Sequence, residues 1–310
     1  MDGLDPGTSA VPLTRAVIGV AGPVLRFVET VRDGDGRPRL RRLGAIDFDF
    51  DAEQAVFGDV ADPDALRDVG AALAGALGGT AATALVVVAH PLVTTAFFTP
   101  LPVGLSDDAC QTQLHQEAAL LADVAPTRAV RVRAAPIRTE RVADGERQWF
   151  HVVHVEEAAH DRLSSLADGL GVSTYDLTDA TRATAAALLA TGEPDEPAGV
   201  DLVVGAYRTH TEVALCRDGV FRFGHHGPGT TPADTAYFAL AALQQAGFDA
   251  SDAGRLFTYG DDATPERLDL MAEFLGRPRQ PLDPFAPFAR PVEMPDDERA
   301  AFAPVLGASL

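Results

Sequence analysis

Lysine is absent from this chain of 310 residues: all 25 basic residues are arginine, and they face 45 acidic ones for a formal net charge of −20. A nucleic acid is bound through a basic surface that releases counterions, so this balance excludes nucleic acid as a partner. The short cluster Arg37, Arg39, Arg41 and Arg42 reads instead as charge on an exposed strand edge. Excess aspartate without lysine suits a salt-rich cytoplasm, where screening removes self-repulsion, although a GC-rich genome depletes lysine too. Cysteine is nearly absent. Cys110 and Cys216 lie far apart with no CxxC or Cys/His spacing, which predicts free thiols in a reducing compartment. Long apolar runs are missing as well: Ala81–Ala89 is about half the roughly 20 residues that span a bilayer, and no basic and apolar leader opens the chain. A cytoplasmic protein without direct membrane insertion is expected.

Several chemistries lack their residues. No GxSxG elbow exists and neither cysteine has a histidine in frame, so no catalytic residue is assigned. His151, His154 and His160 cluster with Glu156 and Glu157, but a strand over 150–155 puts His151 and His154 on opposite faces, and the adjacent His225 and His226 fail in the same way. No metal site is expected.

What the chain does contain is a repeated order of elements. Residues 1–14 read as a loose tail, and a first lobe is expected over 15–105. Its short β-rich runs Val17–Val20 and Val24–Val31 flank the turn Ala21-Gly22-Pro23, and a third strand is expected from Leu40 to Phe50. Asp62, Pro63 and Asp64 start a helix carrying Leu66, Val69, Leu73 and Leu77, and Leu85–Ala89 reads as a strand covered on both faces. Residues 106–198 are an inserted or continuing α+β segment, with a helix over 106–124, strands near 128–137 and 149–155, helices over 158–170 and 181–191, and a linker at 192–199. A second lobe over 199–276 repeats three strands, a helix begun by Thr231, Pro232 and Asp234 with Tyr237, Leu240, Ala241 and Leu243 as its apolar positions, a strand over 255–260 and a further helix. Residues 277–310 are proline-rich and end in a helix over 298–306 that packs back. Two β-β-β-α-β units predict an α/β protein of two lobes.

The repeat and three local stretches resemble the actin-like superfamily (ribonuclease H-like units) in its PilM and FtsA branch, and an uncharacterised Bacteroidota family of the same fold. The stretches are Leu101–Pro126 (LPVGLSDDACQTQLHQEAALLADVAP) with its Glu117 and Ala118, Ser164–Leu189, and the ending Phe302–Leu310 (FAPVLGASL). Nucleotide-binding members open each unit with an Asp-X-Gly turn, where a carboxylate organises Mg²⁺ beside N–H groups that face phosphate. Here the corresponding stretches, residues 17–23 and 202–207, hold no acid at the turn. Pro23 removes a donor, and Glu29 and Asp201 sit at the far strand ends. The resemblance therefore implies a degenerate nucleotide site, with no cofactor expected. If ATP and Mg²⁺ did bind, Gly19, Gly22, Gly205, Gly227, Gly229, Thr230, Thr231 and Gly260 would line it, the loop 224–231 entering a helix N-terminus. The plain reading of that loop is a strand-to-helix connection capped by Thr231. PilM-like proteins sit on the cytoplasmic side of the inner membrane and hold the cytoplasmic tail of a membrane partner in a groove, so the resemblance implies a protein peripheral to the inner membrane through a partner. The resemblance thus implies a pseudo-ATPase scaffold that binds a basic tail of a membrane-anchored assembly protein of a pilus or secretion machinery. The alternative is an ATP-binding member with a divergent site.

Overall fold

The computed structural model describes residues 13–32, 37–60, 62–90, 95–121, 130–143, 145–192, 199–288 and 293–310. Most of the expected tail and linker lie outside these residues. The first unit opens with three antiparallel strands, β1 (Leu13–Ala21), β2 (Val24–Arg32) and β3 (Pro38–Asp47). Ala16–Ala21 is buried throughout because β1 is covered on both faces. The chain then forms α1 (Ala52–Phe57) and α2 (Pro63–Leu77). Asp62 caps α2 by accepting from the N–H groups of Asp64 and Ala65, and Pro63 fits a first turn that needs no donor. Val69, Leu73 and Leu77 recur at helical spacing and bury one stripe against the sheet. Next, β4 (Ala84–Ala89) lies parallel to β1.

Here the chain leaves the unit to build a separate three-stranded sheet. β5 (Thr95–Pro102), α3 (Asp107–Leu121), β6 (Val130–Val142) and β7 (Gly145–Glu156) give the order β5-β7-β6. Leu114 and Ala118 of α3 cover one face, against Leu101, Val132 and Val152. This body starts at Thr95, ahead of the boundary expected at 106, because β5 pairs along its whole length with β7. The chain returns through α4 (Glu157–Gly169) to β8 (Thr174–Asp179), which completes the sheet order β3-β2-β1-β4-β8, and continues into α5 (Ala180–Ala190).

The second unit repeats the plan: β9 (Val200–Ala206), β10 (Thr211–Arg217), β11 (Val220–Gly227), α6 (Pro232–Gln245), β12 (Ala253–Tyr259), α7 (Pro265–Leu275) and β13 (Arg279–Pro281), with sheet order β11-β10-β9-β12-β13. The fifth strand falls in the stretch expected to be only a proline-rich tail. On α6 the core face is Ala236, Ala239, Ala242 and Leu243, while Tyr237, expected inside, is 65% exposed. The final helix is broken into α8 (Asp296–Ala300) and α9 (Ala303–Ser309).

Two helices fill the space between the sheets, and each belongs to the opposite unit. Ala185, Ala187 and Leu188 of α5 pack on Val203, Ala214 and Cys216 of the second sheet. Val305 and Leu306 of α9 pack on Val17, Val28 and Val88 of the first. The two helices touch through Gly307, where a methyl group would stand 1.8 Å from the Ala183 carbonyl oxygen. The inserted sheet leans on the second unit: Phe98 lies 5.0 Å from Phe223 between ring centroids, and Arg138 Nη1 donates to the Arg222 carbonyl at 2.7 Å.

Candidate functional site

The β1–β2 turn and the β9–β10 turn occupy equivalent places in the two units, and Ala21 and Tyr207 at their edges share one buried cluster, so the groups around them define the site. In the first turn, Gly22 N–H donates to Glu53 Oε2 at 2.8 Å while Glu53 N–H donates to the Gly22 carbonyl at 2.9 Å. The short helix α1, begun by its Asp51 cap, places Glu53 there. In the second turn, Tyr207 N–H donates to the His210 carbonyl at 3.0 Å. Beneath it lies Arg267 of α7, which donates to the carbonyls of Tyr207 and His210, to Thr211 Oγ1 and to the Gly229 carbonyl. A guanidinium has five donors in a fixed fork, and here they draw the turn and the Gly-rich loop together through carbonyl oxygens.

The space between the turns holds a polar cluster contributed by both lobes. Glu212 on β10 accepts at one oxygen, Oε1, from His90 Nδ1 at 2.7 Å and from His210 Nε2 at 2.9 Å. Its other oxygen accepts from the Tyr259 hydroxyl at 2.6 Å. His90 follows β4 in the first unit, and the other three residues belong to the second. Tyr207 stacks on His210 at 4.8 Å between ring centroids and meets His90 edge-on at 4.9 Å. All five are buried. Burial pushes the Glu212 carboxyl up, but the charge of His90 and the hydrogen bonds from both imidazoles hold it well below the usual carboxylate range. For His90, burial opposes the charged ring and the Glu212 carboxylate overcomes it, so its pKa is raised. Burial, then the Glu212 charge, drives the Tyr207 and Tyr259 hydroxyls well above their ordinary value. Burial also raises Glu53, against the opposing charge of His90.

Arg26 on β2 closes the mouth of this space by pairing across the lobes with Asp261, one contact being 3.1 Å, and its guanidinium lies 5.6 Å above the Phe302 ring centroid. Of the glycines singled out in the sequence, Gly22 has open space around it and a φ of 56° that suits its turn, while the others are accounted for by close packing. A methyl at Gly205 would stand 2.5 Å from the Tyr259 ring, so glycine is what lets that tyrosine cross β9 and reach Glu212. At Gly19 a methyl would stand 2.9 Å from Val305 of α9, and at Gly229 2.2 Å from Asp234. Gly227 lies under Phe238, and Gly260 has φ of 100° where β12 turns toward Asp261. Thr231 and Asp234 form a reciprocal capping box, and Thr230 precedes it in the loop. Glu29 and Asp201 lie away from the turns, paired with Arg42 and Arg255.

The expected histidine geometry holds on β7. His151 faces Phe98, Phe221 and Asp179, while His154 alternates to the other face. His160 instead contacts the Tyr175 hydroxyl at 2.6 Å from α4. What the sequence reading missed is His90, His210 and Glu212, brought together from positions no local spacing connects. The one available signal was Glu212, an acid inside a strand whose first six residues are all buried.

No family model and no curated protein matches the sequence. Among solved structures the chain is similar to a PilM-PilN type IV pilus biogenesis complex, with a TM-score of 0.69 and 18% identity over 96% of this chain and 98% of that one. It is also similar to a Bacteroides thetaiotaomicron protein of actin-like ATPase fold and unknown function, with a TM-score of 0.52 and 10% identity over 89% and 93%. Two sheets of equivalent strand order, exchanged inner helices and matching hairpin turns, together with these likenesses, give this chain the duplicated actin-like fold.

Proposed function

We propose that this protein is a non-catalytic adaptor of the PilM type, which binds a basic cytoplasmic tail of an inner-membrane assembly protein in a pilus or secretion machinery. The observation that carries the reading is the packing of the space between the two hairpin turns by the protein's own His90, Tyr207, His210, Glu212 and Tyr259. A Mg²⁺-nucleotide fits these residues poorly. Neither turn holds a carboxylate for the ion, the Gly22 N–H is already engaged by Glu53, and the Gly-rich loop offers Arg267 a carbonyl. A negatively charged ligand there would also have to displace the buried Glu212 carboxylate.

The PilM-PilN likeness supports the adaptor class, and the formal charge of −20 complements a basic juxtamembrane tail. Among the described residues, no helix is long and apolar enough to cross a membrane, so attachment through a partner is the route proposed. Since the central cleft is filled at this depth, the tail is assigned to the hollow of about 500 Å³ beside α1. Its lining includes Phe50, Asp51, Phe57, Asp59 and Val60, which offer apolar contact and negative charge together. The test is calorimetry with ATP and Mg²⁺ at low and high salt, paired with co-purification from membranes at physiological salt. Absence of nucleotide binding by folded protein, with recovery of a membrane protein that Asp59→Arg weakens, is the expected result. Tight ATP binding, or no membrane protein recovered, would overturn it.

A further inference from the structure

We infer that His90, His210 and Glu212 form a structural zinc-class metal site that clamps the two lobes together. One ligand atom from each residue lies within 4.8 Å of the others, His90 Nδ1 and His210 Nε2 both touch Glu212 Oε1, and all three residues are buried. Two imidazoles and a carboxylate are the donor set of a borderline divalent ion, whereas Mg²⁺ and Ca²⁺ take oxygen ligands alone.

Two further observations support a site over a plain hydrogen-bonded cluster. The first is an orphan. Glu53 is 4% exposed and its Oε1 has no hydrogen-bond partner, an expensive condition for a buried carboxylate oxygen. Glu53 lies within electrostatic reach of both imidazoles but outside the three-residue cluster, so the fourth ligand is a water, which that oxygen can hold. The second is the outer layer. Tyr259 fixes the free oxygen of Glu212, and Thr209 Oγ1 meets His210 Nδ1 at 3.0 Å, holding the ring with Nε2 directed inward. Ligands of metal sites are oriented in this way by hydrogen bonds from behind.

The present separations of 2.7 and 2.9 Å are hydrogen-bond distances. Around a tetrahedral ion with bonds of about 2.0–2.1 Å, ligand atoms stand roughly 3.3–3.5 Å apart, so the side chains must open by about half an ångström. Small χ rotations suffice. The enclosed ligands make the site structural, with no position open to substrate. Because His90 comes from the first lobe and His210 and Glu212 from the second, the ion would be a rivet between them.

The experiment uses the full chain, stripped with a chelator and titrated with ZnSO₄ and separately with CoCl₂. One equivalent of Zn²⁺ per chain is expected, with a rise of several degrees in melting temperature. Co²⁺ should give the intense visible absorption of a four-coordinate N/O site. His210→Gln and His90→Gln should abolish both, and Glu53→Gln should weaken binding by about 10-fold or more. If a histidine variant fails to fold, the Co²⁺ spectrum of the unaltered chain still decides. A weak octahedral spectrum, an equal stabilisation by MgCl₂, or zinc binding unchanged in folded His→Gln variants would overturn the site. ATP binding or its absence bears on the adaptor reading and leaves these outcomes unaffected.

Discussion

Replacing Gly307 by alanine sets two effects of opposite sign against each other. Helix propensity favours alanine over glycine by about 0.5–1 kcal/mol, so an isolated α9 would gain. The structure demands the reverse. The new methyl would lie 1.8 Å from the Ala183 carbonyl oxygen, 2.7 Å from its carbon and 2.9 Å from the Ala187 nitrogen, all backbone atoms of α5. No rotamer relieves contacts to backbone, so the two helices must separate by more than an ångström, and a gap of that size forfeits a quarter to a half of each contact along the seam. Overpacking of this kind costs about 1–3 kcal/mol and sometimes more, so a net loss of roughly 1–2 kcal/mol remains after the propensity gain. At roughly 2–4 °C per kcal/mol for a chain of this size class, Gly307→Ala should melt about 2–8 °C lower. Gly75→Ala is the control, since Gly75 is an exposed position of α2 with nothing within 4 Å of the added methyl. It should melt slightly higher than the unaltered protein. The assay is thermal unfolding by circular dichroism of the three proteins side by side. If Gly307→Ala melts at or above the unaltered protein, the close crossing of α5 and α9 is refuted.

Further expectations concern other parts of the molecule. His151 is pushed down to about 4, chiefly by burial, with Asp179 opposing. The unfolded chain therefore takes up a proton near pH 6.5 that the folded one refuses, and stability should fall by about 3 kcal/mol between pH 6.5 and 4. His151→Phe, flanked by Phe98 and Phe221, should flatten that part of a denaturant-monitored pH profile; an unchanged slope would contradict the assignment. Tyr259→Phe removes one charged hydrogen bond to Glu212 and should cost about 1.5–3 kcal/mol in urea unfolding. Arg267→Met leaves several buried carbonyls and Thr211 without their donor and should cost about 3 kcal/mol or more, with faster hydrogen exchange at Tyr207–His210 as the specific readout. Added salt should raise the melting temperature by screening the charge of −20, and a flat response between low and high salt would count against self-repulsion.

Much of the fold was legible because local signals agreed with it. The run Leu85–Ala89 is β4, and Asp62-Pro63 and Thr231-Pro232 start α2 and α6 where capping chemistry placed them. β5 escaped notice because Pro100 and Pro102 argue against a strand. Proline is tolerated there because β5 is an edge, with no neighbour on its outer side among the described residues of that sheet. The six-residue α1 is too short for a periodic signal, and Phe48 and Phe50 pack on the core from the segment before it. At the site, the glycines were visible as special positions, but a sequence does not tell whether a glycine yields to a phosphate or to a neighbouring tyrosine. His90, His210 and Glu212 meet only after both lobes have formed.

The exchange of α5 and α9 between lobes bears on how the molecule is made. As the chain leaves the ribosome, the first sheet forms with Val17, Val28 and Val88 on a face whose cover, α9, is among the last described residues to be synthesised. That apolar face stays bare while the whole second lobe is translated, a state prone to aggregation or to capture by a chaperone. The first lobe produced alone should thus be sticky and poorly folded, and adding α9 as a separate peptide should rescue it only in part, because α9 also needs α5 seated on the second sheet.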